Sequence, residues 1–232
     1  MKLLNWLFPP TCRICRMDLP DNWSKPICEK CYQKLKFVDQ YCQTCGSPLP
    51  DGGAHCYYCR RRRPTRRYFD FIRTALYYRE PLKTLIHQYK YQHQDYLSVF
   101  FAELMSLAIH NYPEFTEVEV ITAVPLYWRK RLWRSYNQSA LLAKNLSVFL
   151  QRPYLVLLRR NKYSQPQAGL SHQERFSNVA DNFVLRNGYS VKNKNILIID
   201  DISTTGETIN QCSRILKLAG ARKVYGYTLA AD

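Results

Sequence analysis

The run D-D-I-S-T-T-G-E-T near the end of the chain holds the residues with the clearest chemical potential. Asp200 and Asp201 offer carboxylate oxygens, which suit sugar hydroxyls or a Mg²⁺ ion. The residues after them offer hydroxyl groups and a backbone that an anion can approach closely: Ser203, Thr204, Thr205, Gly206 and Thr208. This combination predicts a phosphate cradle beside an acidic pair. The alternative is a capped turn that binds no ligand.

The first part of the chain carries four C-x-x-C pairs, which suit metal binding. Two-residue spacing lets both sulfurs of a pair face one tetrahedral ion, so the pairs predict two structural Zn²⁺ sites. Sequential pairing of the motifs is the simplest, and interleaved pairing is also open; redox-active pairs are the alternative function. A segment this small needs the metal for much of its folding free energy. The eight cysteines are Cys12, Cys15, Cys28, Cys31, Cys42, Cys45, Cys56 and Cys59.

A dense group of arginines follows the last cysteine pair. The chain carries 34 Lys and Arg against 18 Asp and Glu, a net charge of +16, which favours an anionic partner such as nucleic acid. Arginines at this density can lie along a nucleic-acid backbone; the alternative is a solvated linker without a ligand. The nucleic-acid candidates are Arg60, Arg61, Arg62, Arg63, Arg66 and Arg67.

The acidic pair is positioned by a predicted strand and helix. Residues 196–199 are four apolar, mostly β-branched residues, a run typical of a buried parallel strand. Apolar residues then recur at helical spacing from Ile209 to Ala219, and Gly220 is expected to end that helix. The acidic pair therefore lies at the carboxyl end of a strand. The glycine lies where the positive end of a helix dipole favours an anion.

The rest of the chain alternates strand-like and helix-like segments. We expect strands in the first half of 68–92 and at 118–124, 154–158, 183–185 and 223–229, and helices after Pro81 and over 95–110 and 137–150. This order predicts an α/β fold with a parallel sheet flanked by helices. The composition divides the chain into a cysteine-rich module, 1–65, and an α/β domain, 66–232.

The sequence favours a cytoplasmic location. The opening run M-K-L-L-N-W-L-F-P-P is too short and too rich in proline for a signal peptide, and nowhere do eighteen apolar residues follow one another. In the reducing cytosol, cysteines suit a metal better than disulfides.

The acidic pair and the loop after it resemble the signature of type I phosphoribosyltransferases. The resemblance implies that Asp200 and Asp201 take the ribose hydroxyls of phosphoribosyl pyrophosphate with Mg²⁺, and that the loop takes the 5′-phosphate. It also places pyrophosphate on the loop after the strand at 118–124, and it makes Lys162, in a segment that closes over the site, a catalytic candidate. The pyrophosphate candidates are Pro125, Leu126 and Arg129.

Three further motifs narrow the resemblance to the ComF competence family, to its ComFC-like members. They are F-D-F-I-R-T-A-L-Y-Y with P-L-K-T-L-I-H-Q-Y-K-Y, then R-S-Y-N-Q, and then Q-A-G-L-S-H-Q-E-R-F-S-N-V. Ser135 stands where the family commonly has glycine. Members join a double zinc module to a phosphoribosyltransferase domain and act in the uptake of single-stranded DNA with a helicase-like ATPase. The resemblance implies that role here; its rivals are a housekeeping phosphoribosyltransferase of unknown acceptor and a non-catalytic sensor of phosphoribosyl pyrophosphate.

Overall fold

A computed structural model of the chain describes residues 9–61, 67–126, 136–160 and 183–231. The elements in chain order are α1 Glu29–Tyr32, α2 Tyr57–Arg61, β1 Phe71–Tyr77, α3 Leu82–Tyr91, α4 Leu97–Ile109, a 3₁₀ helix Pro113–Glu117, β2 Val120–Ala123, α5 Gln138–Phe149, β3 Leu158–Arg160, β4 Phe183–Leu185, β5 Asn195–Ser203, α6 Glu207–Leu218 and β6 Lys223–Ala231.

The central sheet has four strands in the order β1-β6-β5-β2, and every neighbouring pair is parallel. Strand β5 lies inside the sheet, and its residues 196–199 are fully buried. One hydrophobic cluster on the sheet contains residues of α3, α4 and α5, and a second contains residues of α6. Helices on both faces explain why β5 reads as a continuous apolar run. The predicted α/β class is confirmed.

The predicted elements agree with the structure except at their ends and at one edge. Strand β5 continues through both aspartates to Ser203, so the acidic pair lies within the strand. The strand expected over 154–158 is reduced to one parallel bridge between Tyr154 and Ile121. Strands β3 and β4 instead pair antiparallel in a separate two-stranded sheet.

The cysteine-rich segment contains two similar zinc-ribbon turns. An antiparallel bridge joins Thr11 to Asp18 around the first C-x-x-C pair, and another joins Tyr41 to Pro48 around the third. The first turn shares the cluster of α4 and α5, where Cys12 is fully buried. The segment after it adds backbone to the edge of β1, with the amide of Val38 donating to the carbonyl of Ala75 at 3.0 Å. The boundary between 65 and 66 stays a prediction.

Across the described ranges, the helices are all too short or too polar to cross a lipid bilayer.

Candidate functional site

Asp200, which lies inside β5, is held by two hydrogen bonds. The hydroxyl of Ser139, in the first turn of α5, donates to Asp200 Oδ1 at 2.7 Å, and the backbone N–H of Asp201 donates to the same oxygen at 2.9 Å. Burial, together with the neighbouring charge of Asp201, raises the pKa of Asp200 to about 7. Loss of water around the carboxylate destabilises its charged form, and a second negative charge adds to the cost.

Asp201 has a different environment, because successive side chains of a strand point to opposite faces. The ammonium of Lys90, near the end of α3, lies 3.0 Å from Asp201 Oδ2. Only 15% of the Lys90 side chain and 12% of the Asp201 side chain are exposed, so this ion pair is shielded from solvent. The sequence placed Lys90 in a family motif but gave it no partner.

Residues 203–206, which we call the phosphate loop, connect β5 to α6. Gly206 is the N-cap of α6 and has φ of 72°, a conformation that glycine adopts without strain. The hydroxyl of Thr205 accepts a hydrogen bond from the Glu207 N–H at 3.4 Å, and the side chains of Thr204 and Thr208 are exposed. Gly206 has no side chain to cap the helix, which leaves its positive end open to an anion.

The start of the predicted pyrophosphate loop lies beside the acidic pair. Ala123 of β2 pairs with Ile199 of β5, and the N–H of Val124 donates to the carbonyl of Ile199 at 3.0 Å. Asn137 donates from Nδ2 to the carbonyl of Val124 at 3.1 Å, and its Oδ1 caps α5. The structure thereby places Val124, which directly precedes Pro125 and Leu126, beside Ile199 and next to the acidic pair. Arg129 and Lys162 lie outside the described residues, and their roles stay predictions.

Ser139 is the site residue that the sequence analysis missed. It follows the N-Q of the R-S-Y-N-Q motif, and a serine in the first turn of a helix reads as ordinary helix polarity. Only the fold shows that the α5 amino terminus faces Asp200, which is 61 positions away in the sequence. Asn137, Ser139 and Asp200 thus connect the pyrophosphate segment to the acidic pair.

The eight cysteines form two clusters, each with four sulfurs within 4.8 Å of one another. Cys12, Cys15, Cys28 and Cys31 form the first, and Cys42, Cys45, Cys56 and Cys59 form the second. Tetrahedral Zn²⁺ with bonds of about 2.3 Å separates its sulfur ligands by about 3.8 Å. Neighbouring sulfurs of the two clusters, Cys15 with Cys28 and Cys45 with Cys56, are 3.6 Å apart. The donor sets fit zinc, and the sequential pairing is confirmed.

The pKa values of two thiols in the second cluster are also consistent with a bound cation. The hydrogen bond from Cys45 lowers the pKa of Cys42 to about 3, and the same contact raises the pKa of Cys45. Cys42 and Cys45 therefore differ in how readily they lose their protons. A divalent ion stabilises all four as thiolates.

Two of the predicted nucleic-acid arginines are visible in α2, directly after two exposed tyrosines. Tyr57 is 56% exposed and Tyr58 is 63% exposed, and the guanidinium of Arg61 lies 5.0 Å from the Tyr57 ring centre. Arg60 shares this helix. Arg67 precedes β1, whereas Arg62, Arg63 and Arg66 lie outside the described residues. The predicted nucleic-acid site did not include these aromatic neighbours.

Comparisons with known proteins identify the domain types of the chain. Residues 3–60 match the double zinc ribbon domain, and residues 137–232 match the phosphoribosyl transferase domain. Competence protein F of Haemophilus influenzae is 32% identical over 211 residues, which cover 88% of this chain and 90% of that protein. The chain belongs to the ComF family.

Two further matches extend the comparison. DNA utilization protein YhgH of Escherichia coli K12 is 29% identical over 227 residues, covering 95% of this chain and 96% of that protein. Among solved structures, glutamine phosphoribosylpyrophosphate amidotransferase from B. subtilis is 19% identical, with a TM-score of 0.44, covering 62% of this chain and 30% of that one. The ComF chain described here thus combines a double zinc ribbon with a phosphoribosyltransferase domain.

Proposed function

We propose that this protein is a cytoplasmic DNA-uptake factor of natural transformation that binds phosphoribosyl pyrophosphate and contacts single-stranded DNA or a helicase-like ATPase. The competence role is supported by the relatives, one named competence protein F and the other a DNA utilization protein. Phosphoribosyl pyrophosphate binding is supported by one observation above all, the acidic pair beside a helix amino terminus whose N-cap, Gly206, has no side chain.

The ligand fits this arrangement in two parts. Backbone N–H groups and hydroxyls of the phosphate loop suit the 5′-phosphate. Asp200 and Asp201 suit the ribose hydroxyls and the Mg²⁺ that accompanies the ligand, because hard cations prefer oxygen ligands. Bound Mg²⁺ supplies positive charge that stabilises a departing pyrophosphate. The residues of this chain bind and orient the sugar, and the Ser139 contact fixes the first carboxylate.

The binding test compares thermal shifts. Phosphoribosyl pyrophosphate with Mg²⁺ is expected to raise the melting temperature of the wild-type protein, since a ligand that binds only the folded state stabilises it. Asp200→Asn with Asp201→Asn should remove the shift while both zinc ions are retained. The matched control, Asp21→Asn with Asp51→Asn, removes two exposed acidic side chains of the zinc ribbons and should keep it. A wild-type protein without a shift would reject the proposal.

The same preparation separates the rival functions. Consumption of phosphoribosyl pyrophosphate with a nucleobase acceptor would favour the housekeeping enzyme. Binding without consumption, and without any contact with DNA or ATPase, would favour the sensor.

DNA binding is supported by α2, where exposed tyrosine rings offer stacking surfaces beside Arg60 and Arg61. We expect affinity for single-stranded oligonucleotides to fall steeply with salt, and Tyr57→Ala with Tyr58→Ala to weaken it about tenfold or more. Lys83→Ala with Lys144→Ala, which removes exposed charge on other helices, is the control. Equal losses in both variants would argue against a surface on α2. Binding only to the purified ATPase would transfer the role to that partner.

A further inference from the structure

We infer that Ile72 is a positioning residue, through which the second zinc knuckle supports the phosphate loop. The second zinc knuckle is the turn formed by residues 42–46. The inference rests on the proposed function and extends it: zinc in the second cluster and phosphoribosyl pyrophosphate at the phosphate loop each favour binding of the other. Three sets of contacts connect the two sites: from the knuckle to β1, around Gly46, and from β1 to the phosphate loop.

The second zinc knuckle is fastened to the start of β1. The backbone N–H of Ile72 donates to the carbonyl of Thr44 at 3.0 Å, and Arg73 donates from Nη1 to the carbonyl of Gln43 at 2.9 Å. Arg73 is buried and forms an ion pair with Glu114 at 2.8 Å, so the guanidinium is anchored on its other side as well. These contacts fix the position of Ile72 relative to the cluster.

Gly46 shows how close this contact is. Arg16 occupies the equivalent position after the first C-x-x-C pair, and its φ of 64° is almost the same as the 69° of Gly46. The turn itself therefore accepts a side chain. At Gly46, however, an added Cβ would lie 2.7 Å from the carbonyl oxygen of Ile72 and 2.9 Å from the Cα of Arg73. Glycine is needed because β1 lies directly against the knuckle.

The side chain of Ile72 carries the contact onward to the phosphate loop. A Cβ added to Gly206 would lie 2.8 Å from Ile72 Cδ1, so the loop backbone rests on this methyl group. Gly226 of β6 leaves the space in which Ile72 meets Ile209, because a Cβ there would lie 2.9 Å from both side chains. Ile72 and Ile209 are both buried. Ile72 thus supports the phosphate loop and the first turn of α6.

Close-packed contacts of this kind transmit displacement, because a buried side chain has no free volume in which to move. Zinc holds the knuckle in one shape, the knuckle holds β1, and Ile72 holds Gly206 in its left-handed conformation. Coupling between two binding equilibria is reciprocal. If zinc favours ligand binding, the ligand must retain zinc to the same degree.

The test measures how much zinc the full-length protein retains at equilibrium against increasing concentrations of a colorimetric chelator, with and without phosphoribosyl pyrophosphate and Mg²⁺. We expect the ligand to raise the affinity for one of the two zinc ions by about threefold to tenfold, a factor equal to the coupling. Ligand binding is followed in parallel by thermal shift. A thermal shift without tighter zinc retention would overturn the inference and leave the proposed function intact. Absence of the thermal shift would instead reject the proposed function.

Two variants locate the coupling. Ile72→Val removes the methyl beneath Gly206 and should weaken ligand binding about threefold to tenfold, with both zinc ions retained and with less effect of the ligand on zinc affinity. Ile196→Val is the matched control. It removes the equivalent methyl group from the same hydrophobic cluster, at the start of β5 and away from the phosphate loop. Ligand affinity and the effect of the ligand on zinc should both stay unchanged. Equal behaviour of the two variants would contradict a specific role of Ile72.

The variant Gly46→Ala tests the contact between the second zinc knuckle and β1. We expect weaker ligand binding, since the added methyl displaces β1. Gly53→Ala is the control, because Gly53 lies in the same ribbon with φ of 105° and an added Cβ there has no atom within 4 Å. A Gly46→Ala protein with two zinc ions and wild-type ligand affinity would also overturn the inference. If the Gly46→Ala protein loses zinc, the result with Ile72→Val still decides whether the inference holds.

Discussion

Asp200 and Asp201 are adjacent in the sequence but meet different partners. Asp200 receives hydrogen bonds from Ser139 and from the backbone, whereas Asp201 is paired with the ammonium of Lys90. Within the part of the chain that the structure describes, Lys90 is the cation paired with these two residues, and its contact is with Asp201. Burial makes the Asp200 carboxyl costly to ionise. This difference leads to two predictions.

The first prediction concerns pH. The pKa of Asp200 is 3.8 in the unfolded chain and about 7 in the folded protein. Below pH 4 the Asp200 carboxyl is mostly protonated in both the folded and the unfolded state, so its ionisation does not oppose folding. As the pH rises to 7, this carboxyl ionises in the unfolded state only, and the free energy of unfolding therefore falls. Asp200→Asn should remove this loss. Without ligand and Mg²⁺, its stability relative to wild type should rise between pH 4 and pH 7 by up to about 4 kcal/mol and then stay constant.

Urea denaturation at several pH values measures this difference. If the free energies of unfolding of wild type and Asp200→Asn depend on pH in the same way, the pKa of Asp200 is not raised in the folded protein. Asp21→Asn, an exposed acid, is the control that should leave the pH dependence unchanged.

The second prediction concerns Lys90. Lys90→Met leaves the nearly buried Asp201 carboxylate without its cation and should destabilise the protein by about 2–4 kcal/mol. Lys90→Arg keeps the charge and should cost less. In the double variant Lys90→Met with Asp201→Asn, most of the loss should be recovered, because the unpaired charge is gone. Denaturation of the wild type, Lys90→Met, Asp201→Asn and the double variant gives the coupling energy, and additive losses would show that the pair is not coupled.

At the scale of elements, the two zinc ribbons are built alike but are attached differently. The first shares a hydrophobic cluster with α4 and α5, and Gln88 of α3 donates to the carbonyl of Arg13 at 3.0 Å. The second adds its backbone to the edge of β1. Each ribbon closes its own cluster of four sulfurs, so each metal site is independent in its ligands.

This independence predicts the metal content of cysteine variants. Cys15→Ser with Cys28→Ser removes two ligands from one cluster, and the purified protein should contain about one zinc ion per chain. Cys15→Ser with Cys59→Ser removes one ligand from each cluster and should reduce the content well below that. Elemental analysis after dialysis distinguishes the two variants. Equal zinc content would contradict the sequential pairing.

At the scale of the whole molecule, zinc and sheet contribute to one folded structure. Cys12 and Cys31 are buried in the same cluster as Tyr89, Phe101 and Leu142, which cover the sheet. Loss of zinc therefore exposes apolar surface that belongs to the α/β domain as well.

We expect a chelator to lower the melting temperature of the entire protein by about 5 °C or more. Far-ultraviolet circular dichroism, which reports the sheet and its helices, and zinc release should then change at the same temperature. Two separate transitions would instead mean that the ribbons unfold independently of the sheet.

The zinc ligands, the central strand, the helix after it and the acidic pair could all be predicted from the sequence, because each depends on spacing within a few residues. The C-x-x-C pairs define ligands locally, and residues 196–199 followed by the apolar spacing of α6 define a strand and a helix. The alternation of strand-like and helix-like segments supplied the α/β class, and family motifs supplied the domain types, which the comparisons support. The roles of Lys162 and Arg129 stay predictions.

Only the tertiary structure decided which cysteine pairs share an ion, which partners hold Asp200 and Asp201, and what lies beneath the phosphate loop. Ser139 is 61 positions from Asp200, and Ile72 of β1 reaches Gly206, which follows β5, across the intervening strand β6. Such contacts depend on how strands are ordered and how helices pack on them. Local spacing carries no record of that order, so these contacts emerge only when the chain is folded.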